Sequence, residues 1–357
     1  MEGYNIDMRN FCKHHKEYIT SVPYLDLSKP IEDKAEPLLT YKGVGMLYRN
    51  NLQVLQGKPK QGKSTSGIMF IVALLKGRYL GLSSNAECNI LWIDTEQDSH
   101  TVQGKALQAL QMAGVDKCTA RLKIVSLKPY NVEERLKYVL QAIRENNPDF
   151  VFLDGIVDLV QDFNKPDECK SLLDTIAKVT ERNNCAFLTL IHENKNDENA
   201  RGHLGSFVQQ KASEVYSVKK GQTLSTDEEG KPIYKAVVKQ TYNRYKETEP
   251  IEFVFGSNGM PEPTQDTITA EKSENLALWG KIFSTLPNGG SNPKGYTYTE
   301  VYKAYMAFCG TKESAAKKAL RDAVGFYSSV IKDEGNPPLY KYKFCITPTF
   351  IDDDEML

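Results

Sequence analysis

Hydrophobic and polar positions change rhythm along this chain. Residues 1–37 hold three prolines and many charges with little periodicity, which predicts an arm leading into a folded body. From residue 38 short, nearly unbroken apolar runs alternate with longer amphipathic ones. The stretches "LLTYKG", Leu52–Leu55, "CNILWID" (88–94), "RLKIVSL" (121–127), "DFVFLDGIVDLV" (149–160) and "CAFLTLIHENK" (185–195) predict strands. Between them, residues 64–75, 101–114, 131–147 and 166–184 carry helical spacing, the third opening at an Asn cap. Strands that are apolar throughout are buried on both faces, so the pattern implies a mostly parallel sheet with flanking helices.

After Gly202 the rhythm shifts. "ASEVYSVKK", "PIYKAVVKQTYNRYKE" and "PIEFVFG" predict added antiparallel strands, with "GQTLSTDEEGKP" as an exposed hairpin tip. Residues 257–274 are polar and proline-bearing and predict a linker. Beyond it, residues 275–357 predict a small, mainly helical domain that closes on a short strand pair. The expected fold is α/β, with an arm at 1–37, a main domain at 38–256 and a C-terminal domain at 275–357.

Composition narrows the class without naming a function. At 357 residues, two domains are the natural prior. With 25% charged and 40% hydrophobic residues the chain reads as an ordinary globular protein. No apolar run is long enough to span a bilayer, and the N-terminus lacks the apolar core of a signal peptide. Seven scattered cysteines without a C-x-x-C pair point to reduced thiols and a cytoplasmic location. Cys12 with His14 and His15 could suggest a metal site, but adjacent side chains usually diverge, and a solvated terminal segment is the plainer reading. Net charge is −1, yet residues 271–345 carry eleven Lys and Arg against seven Asp and Glu. That local surplus is compatible with a nucleic-acid partner.

The chemistry concentrates in "LQVLQGKPKQGKSTSGIMF". Gly57, then Lys58, Pro59, Lys60 and Gln61, then Gly62, Lys63 and Ser64 give the G-x-x-x-x-G-K-[ST] spacing of a phosphate-binding loop, followed by Thr65. Glycines let successive backbone N–H groups turn toward phosphate oxygens, and the helix behind the loop begins at an anion-favouring end. Lys63 would reach the β- and γ-phosphates of ATP, and Ser64 would ligate Mg²⁺. A lysine-rich turn could match by chance, but the strand before and helix after supply the context the motif requires.

Three strand ends add to the loop. Asp154 closes "FVFLD" and suits the Mg²⁺ shell beside Ser64; the alternative is an ordinary strand-end turn. Asp94 and Glu96 close "LWIDTEQ", where Glu96 can orient or deprotonate an attacking water, or simply form a solvated acidic turn. His192 ends "LTLIH" and could sense the γ-phosphate, although a lone His is more often structural.

The ordered set "LLTYKG", the phosphate loop, "LWIDTEQ", "FVFLDG", "LIHENK" and "ARGHLGS" resembles the RecA-like ATPases, nearest the plasmid RepA-type and DnaB-type hexameric helicase branch. The likeness covers about residues 38–256. It implies that Lys63 and Ser64 bind phosphate and Mg²⁺, Glu96 is the catalytic carboxylate, Asp154 the metal-side aspartate and His192 the sensor. It further implies a ring, most simply a hexamer, in which a neighbouring subunit completes each ATP site with a basic finger. Lys211, Lys239 and Arg244 are the candidates, with Arg201 on a loop expected to face the ring's channel. The pattern departs from that branch, which spaces its Lys and Arg two apart, whereas Lys239 and Arg244 are five apart. All four could instead be surface charges. The C-terminal segment resembles a winged helix, in which Lys317, Lys318 and Arg321 would face DNA, or merely form a solvated face. An ATP-driven motor on DNA is the leading expectation. A slow nucleotide switch assembling on DNA or protein is the alternative, and a metabolic kinase is disfavoured by the strands at 213–256.

Overall fold

The computed structural model describes residues 27–28, 37–84, 87–116, 119–194 and 199–343. The chain divides into two units, Met1–Ala35 and Glu36–Leu357; the second holds every element named below. The expected arm, with Cys12, His14 and His15, lies outside the described residues apart from a turn at 27–28 and Pro37, which opens the first strand.

A nine-stranded sheet forms the body. Its parallel part comprises β3 (Leu52–Gly57), β6 (Ile90–Asp94), β7 (Leu122–Ser126), β8 (Phe150–Asp154), β9 (Ala186–His192) and the start of β10 (Glu214–Thr226). Antiparallel strands β11 (Pro232–Asn243), β12 (Ile251–Phe255) and β13 (Pro261–Glu262) extend it, giving the order β13-β12-β11-β10-β3-β9-β8-β6-β7. A second sheet, β2-β1-β5-β4, is built from β1 (Pro37–Tyr41), β2 (Val44–Tyr48), β4 (Arg78–Tyr79) and β5 (Leu82–Ser83). The first helices are α1 (Lys63–Lys76), α2 (Ser99–Ala113), α3 (Val132–Asn146), α4 (Pro166–Asn183) and α5 (Gly202–Lys211).

The apolar runs explain the layering. Alternate residues of one strand face opposite sides, and here both sides are covered. Leu55, Trp92, Phe152 and Leu188 pack into a core with α1 and α2. Val54, Leu91, Ile93, Val151 and Leu153 pack into a second core with α3, α4 and α5. The expected α/β class with a mostly parallel sheet, flanking helices and added antiparallel strands is what the chain adopts. The strand expected over 149–160 stops at Asp154 and turns into a short 3₁₀ segment, Ile156–Leu159.

The expected linker at 257–274 is not one. β13 pairs with β12, and a single helix, α6 (Gln265–Ser284), starts at a Thr264 cap whose hydroxyl accepts from the Thr267 N–H. The stretch looked like a linker because polar residues occupy its inward positions. Glu271 and Asn275 are both buried. The Glu271 carboxylate accepts from the Gly81 backbone at 2.6 Å, and Glu274 pairs with Arg78 at 2.6 Å. α6 then runs on into the C-terminal core, where Trp279, Ile282 and Phe283 pack with Val301, Leu320 and Tyr340. That core is completed by β14 (Tyr296–Thr297), α7 (Tyr298–Cys309), α8 (Glu313–Val324), β15 (Val330–Lys332) and β16 (Leu339–Tyr342), with sheet order β14-β16-β15.

Candidate active site

The site forms where the parallel strands end. β3 delivers Gly57 to the loop, and α1 begins at Lys63 immediately after it. Gly62 has φ +81°, and a Cβ there would run into the Phe255 ring, so glycine is required on two counts. No side chain caps α1 and no acidic residue occupies its first turn. A helix start leaves its first N–H groups without intrahelical partners, and this one leaves them for an anion.

Register aligns the other expected residues with the loop. Gly57 lies opposite His192, and Asp94 opposite Asp154. Lys63 is buried, and its Nζ lies 2.9 Å from His192 Nδ1 and donates to the Lys58 carbonyl at 3.3 Å. Burial holds both groups below their usual ranges, and for His192 the charges of Lys63 and Arg201 add to the effect. An ammonium only donates, so His192 accepts from it at Nδ1.

The Ser64 hydroxyl hydrogen-bonds to the Asp154 carboxylate, which burial pushes up to about 7, opposed by Ser64 and reinforced by Asp94 and Glu96. Glu96 opens into the cleft. Partial removal from water in the cleft raises its carboxyl, with Asp158 and Asp94 adding and Lys63 opposing. Its Oε1 comes so near Gly155 that a Cβ there would lie at 2.8 Å. Loop, carboxylates and His192 enclose a cavity of about 320 Å³. Among the described residues no group of three or more His, Cys, Asp or Glu forms a metal cluster. One hydroxyl and one carboxylate, all-oxygen, suit Mg²⁺, which keeps several waters and takes further oxygens from phosphates. The donor set fits.

A second cavity of about 320 Å³ shares Lys60, Gly62 and Thr65 with the first and is walled by Lys220, Tyr234 and Phe255. Lys220 lies 3.4 Å over the Tyr234 ring. The Gln61 side chain accepts from the Lys220 backbone at 2.6 Å, tying the loop to β10. Lys58, Pro59 and Lys60 are exposed on the loop.

Other expectations fare differently. Asp94, weighed beside Glu96, is fully buried and accepts from the backbone N–H groups of Glu96 and Gln97, so it organises the turn. Arg244 donates to the Gln210 and Lys211 carbonyls at the end of α5. The adjacent Asn243 pairs with Glu214, which pairs with Gln53, four residues before Gly57 and about 13 Å along the strand. Lys211 lies at that same far end. Lys239 is exposed opposite Ser217, near the level of Gln56. None of the three lines the cavity of its own chain. The Arg201 backbone N–H donates to the His192 carbonyl at 2.8 Å.

In the C-terminal segment, Lys318 does not face outward as expected: its ammonium donates to the Lys76 carbonyl at the end of α1. Lys317 pairs with Glu313 at 2.6 Å, and Arg321 is exposed. The sequence reading also missed Gln97 and Lys105, which line the main cavity. Gln97 directly follows Glu96 and was within reach; Lys105 sits inside a helix with no local signal.

Residues 31–198, just under half of the chain, match the model of a family described as AAA domain. No curated protein matches the sequence. Among solved structures, a KaiC-like protein from the hyperthermophilic archaeon Pyrococcus horikoshii is 14% identical, covering 61% of this chain and 92% of its own, at a TM-score of 0.43. The flagellar accessory protein FlaH from Methanocaldococcus jannaschii is 16% identical, covering 62% and 89%, at a TM-score of 0.40. At those scores neither likeness bears on what the chain does. The phosphate loop, the carboxylates on neighbouring strand ends and the AAA match over 31–198 agree on a P-loop ATPase region within this chain.

Proposed function

We propose that this chain is an ATP-hydrolysing motor of the replicative-helicase type that acts on DNA as a homo-oligomer. The observation that carries turnover is the meeting of the loop, the Ser64–Asp154 pair and Glu96 at one sheet edge. The loop N–H groups and Lys63 hold the phosphates, while Ser64 and Asp154 hold the cation. Mg²⁺, when bound, neutralises charge developing on the transferred phosphoryl group. Glu96 orients or deprotonates the attacking water, and its raised carboxyl brings it nearer the working pH of a base. A phosphate that draws Lys63 away leaves His192 without its donor, and the His192 carbonyl passes that change to Arg201. The second cavity accommodates the base and ribose beside Tyr234 and Phe255.

The DNA part rests on the C-terminal domain. Its order of helix, strand, two helices and two strands supports a winged-helix reading, and Lys312, Arg321, Lys332 and Lys343 remain exposed on it. Lys318 favours a second reading, a nucleotide switch. α1 begins at the phosphate loop and ends against α8, so nucleotide state and C-terminal domain share one rigid element. Turnover measured with and without single-stranded DNA, on material of known size, separates the two. A motor gains several-fold on adding DNA; slow turnover indifferent to DNA selects the switch.

A further inference from the structure

Asp94 and Asp154 are register partners on adjacent parallel strands, 0% and 2% exposed. Like charges side by side destabilise a sheet, and buried carboxylates need donors. Asp94 Oδ1 takes the Glu96 and Gln97 backbone N–H groups at 3.0 and 2.7 Å. The remaining donor serves both carboxylates. Gln97 Nε2 lies 3.0 Å from Asp94 Oδ2 and 3.5 Å from Asp154 Oδ2. The other end of the same amide, Oε1, accepts from Lys105 Nζ at 2.7 Å.

Charge dictates which way this amide points. An ammonium only donates, so the amide oxygen must face Lys105, which leaves the NH₂ facing the aspartates. A glutamate at 97 would add a third negative charge, an asparagine would be one methylene short, and an apolar side chain would leave both aspartates without this donor. Lys105 sits on α2, whose Asp98 cap directly follows Gln97, so the helix carries the lysine back over the glutamine.

We propose that Gln97, held by Lys105, is a positioning residue that aims the Asp154 carboxylate at the Ser64 hydroxyl and the cation they share, while screening Asp154 from Asp94. This rests on the nucleotide-binding reading above. Lys63 and the loop bind phosphate without Gln97, so its loss acts on the cation and spares the metal-free complex.

The test is equilibrium binding of a fluorescent, non-hydrolysable ATP analogue to the full chain, in EDTA and across a Mg²⁺ titration. Gln97→Ala and Lys105→Met are expected to bind the analogue in EDTA as the unmodified chain does. The Mg²⁺ concentration giving half the full effect should rise at least tenfold in each, with Lys105→Arg restoring it. Half-effect concentrations within twofold of the unmodified chain in both variants overturn the proposal. So does lost binding in EDTA with an unchanged melting temperature, because the pair would then serve the loop. If Gln97→Ala fails to fold, Lys105→Met decides alone. Failure of the nucleotide reading is distinguishable: the unmodified chain would not bind the analogue at all.

Discussion

Glu96 and Asp94 stand two residues apart, and their surroundings give them different work. Asp94 is closed in and occupied by backbone donors, whereas Glu96 opens on the cavity and faces Gly155. Glu96→Gln is expected to keep ATP binding while slowing turnover about a hundredfold or more; turnover close to that of the unmodified chain would place the base elsewhere. A third carboxylate, Glu214, lies at the far end of the sheet with no exposure. Burial pushes it up to about 7, opposed by the Gln240 amide donating to one oxygen and by the Arg244 backbone N–H. An unfolded glutamate titrates near 4.3. Between those values the native chain holds a proton the unfolded chain has released, so stability falls as pH rises through the window and the loss is complete above about 7. Glu214→Gln should therefore gain stability over the unmodified chain at pH 8, by at most about 4 kcal/mol, and gain little at pH 4. Denaturant midpoints at the two pH values check this; an equal difference at both would show that Glu214 does not titrate in that window.

At the scale of elements, α1 and α6 decide how the molecule is tied together. The C-terminal end of α1 collects positive groups: Arg121 donates to the Leu74 and Leu75 carbonyls and Lys318 to that of Lys76. Cations there complement the negative end of the helix, just as its bare N-terminus suits phosphate. α6 joins the body to the C-terminal core as one helix, and its start depends on Thr264. Thr264→Ala is expected to cost about 1 kcal/mol, read as a lowered denaturant midpoint. A midpoint that does not move would mean the helix start is held by packing of β13 and Glu271 alone.

At the scale of the whole molecule, the proposed assembly makes its own prediction. Arg244 and Lys211 lie remote from the cavity of their own chain, and Lys239 lies outside it, as basic residues serving a neighbour would. Turnover per subunit should rise with protein concentration, and mixing Arg244→Ala with Glu96→Gln should recover some activity. The recovery comes from interfaces that pair one intact arginine with one intact carboxylate. A monomer fully active at every concentration would remove the ring. Arg244 also holds the last carbonyls of α5, so a melting curve must accompany the variant.

Much of this was legible along the chain, because backbone geometry is local. A strand buried on both faces must be apolar at every position, which exposed β6, β8 and β9. A loop that wraps phosphate needs glycine at fixed spacing, which exposed residues 57–64, and the candidate site residues at strand ends follow from where those runs stop. Polar residues facing inward were not legible. Glu271 and Asn275 resemble a linker until Gly81 is brought beside the helix, and Gln97 reads as a turn residue until Asp154 and Lys105 converge on it. Lys318 reads as a free basic side chain until the end of α1, 242 positions away, takes it up. Local periodicity is set by the 2- and 3.6-residue repeats of the chain itself. Which strand lies next to which, and so which polar groups must satisfy one another once buried, is decided only when the sheet closes in the order β3-β9-β8-β6 and excludes water from between its layers.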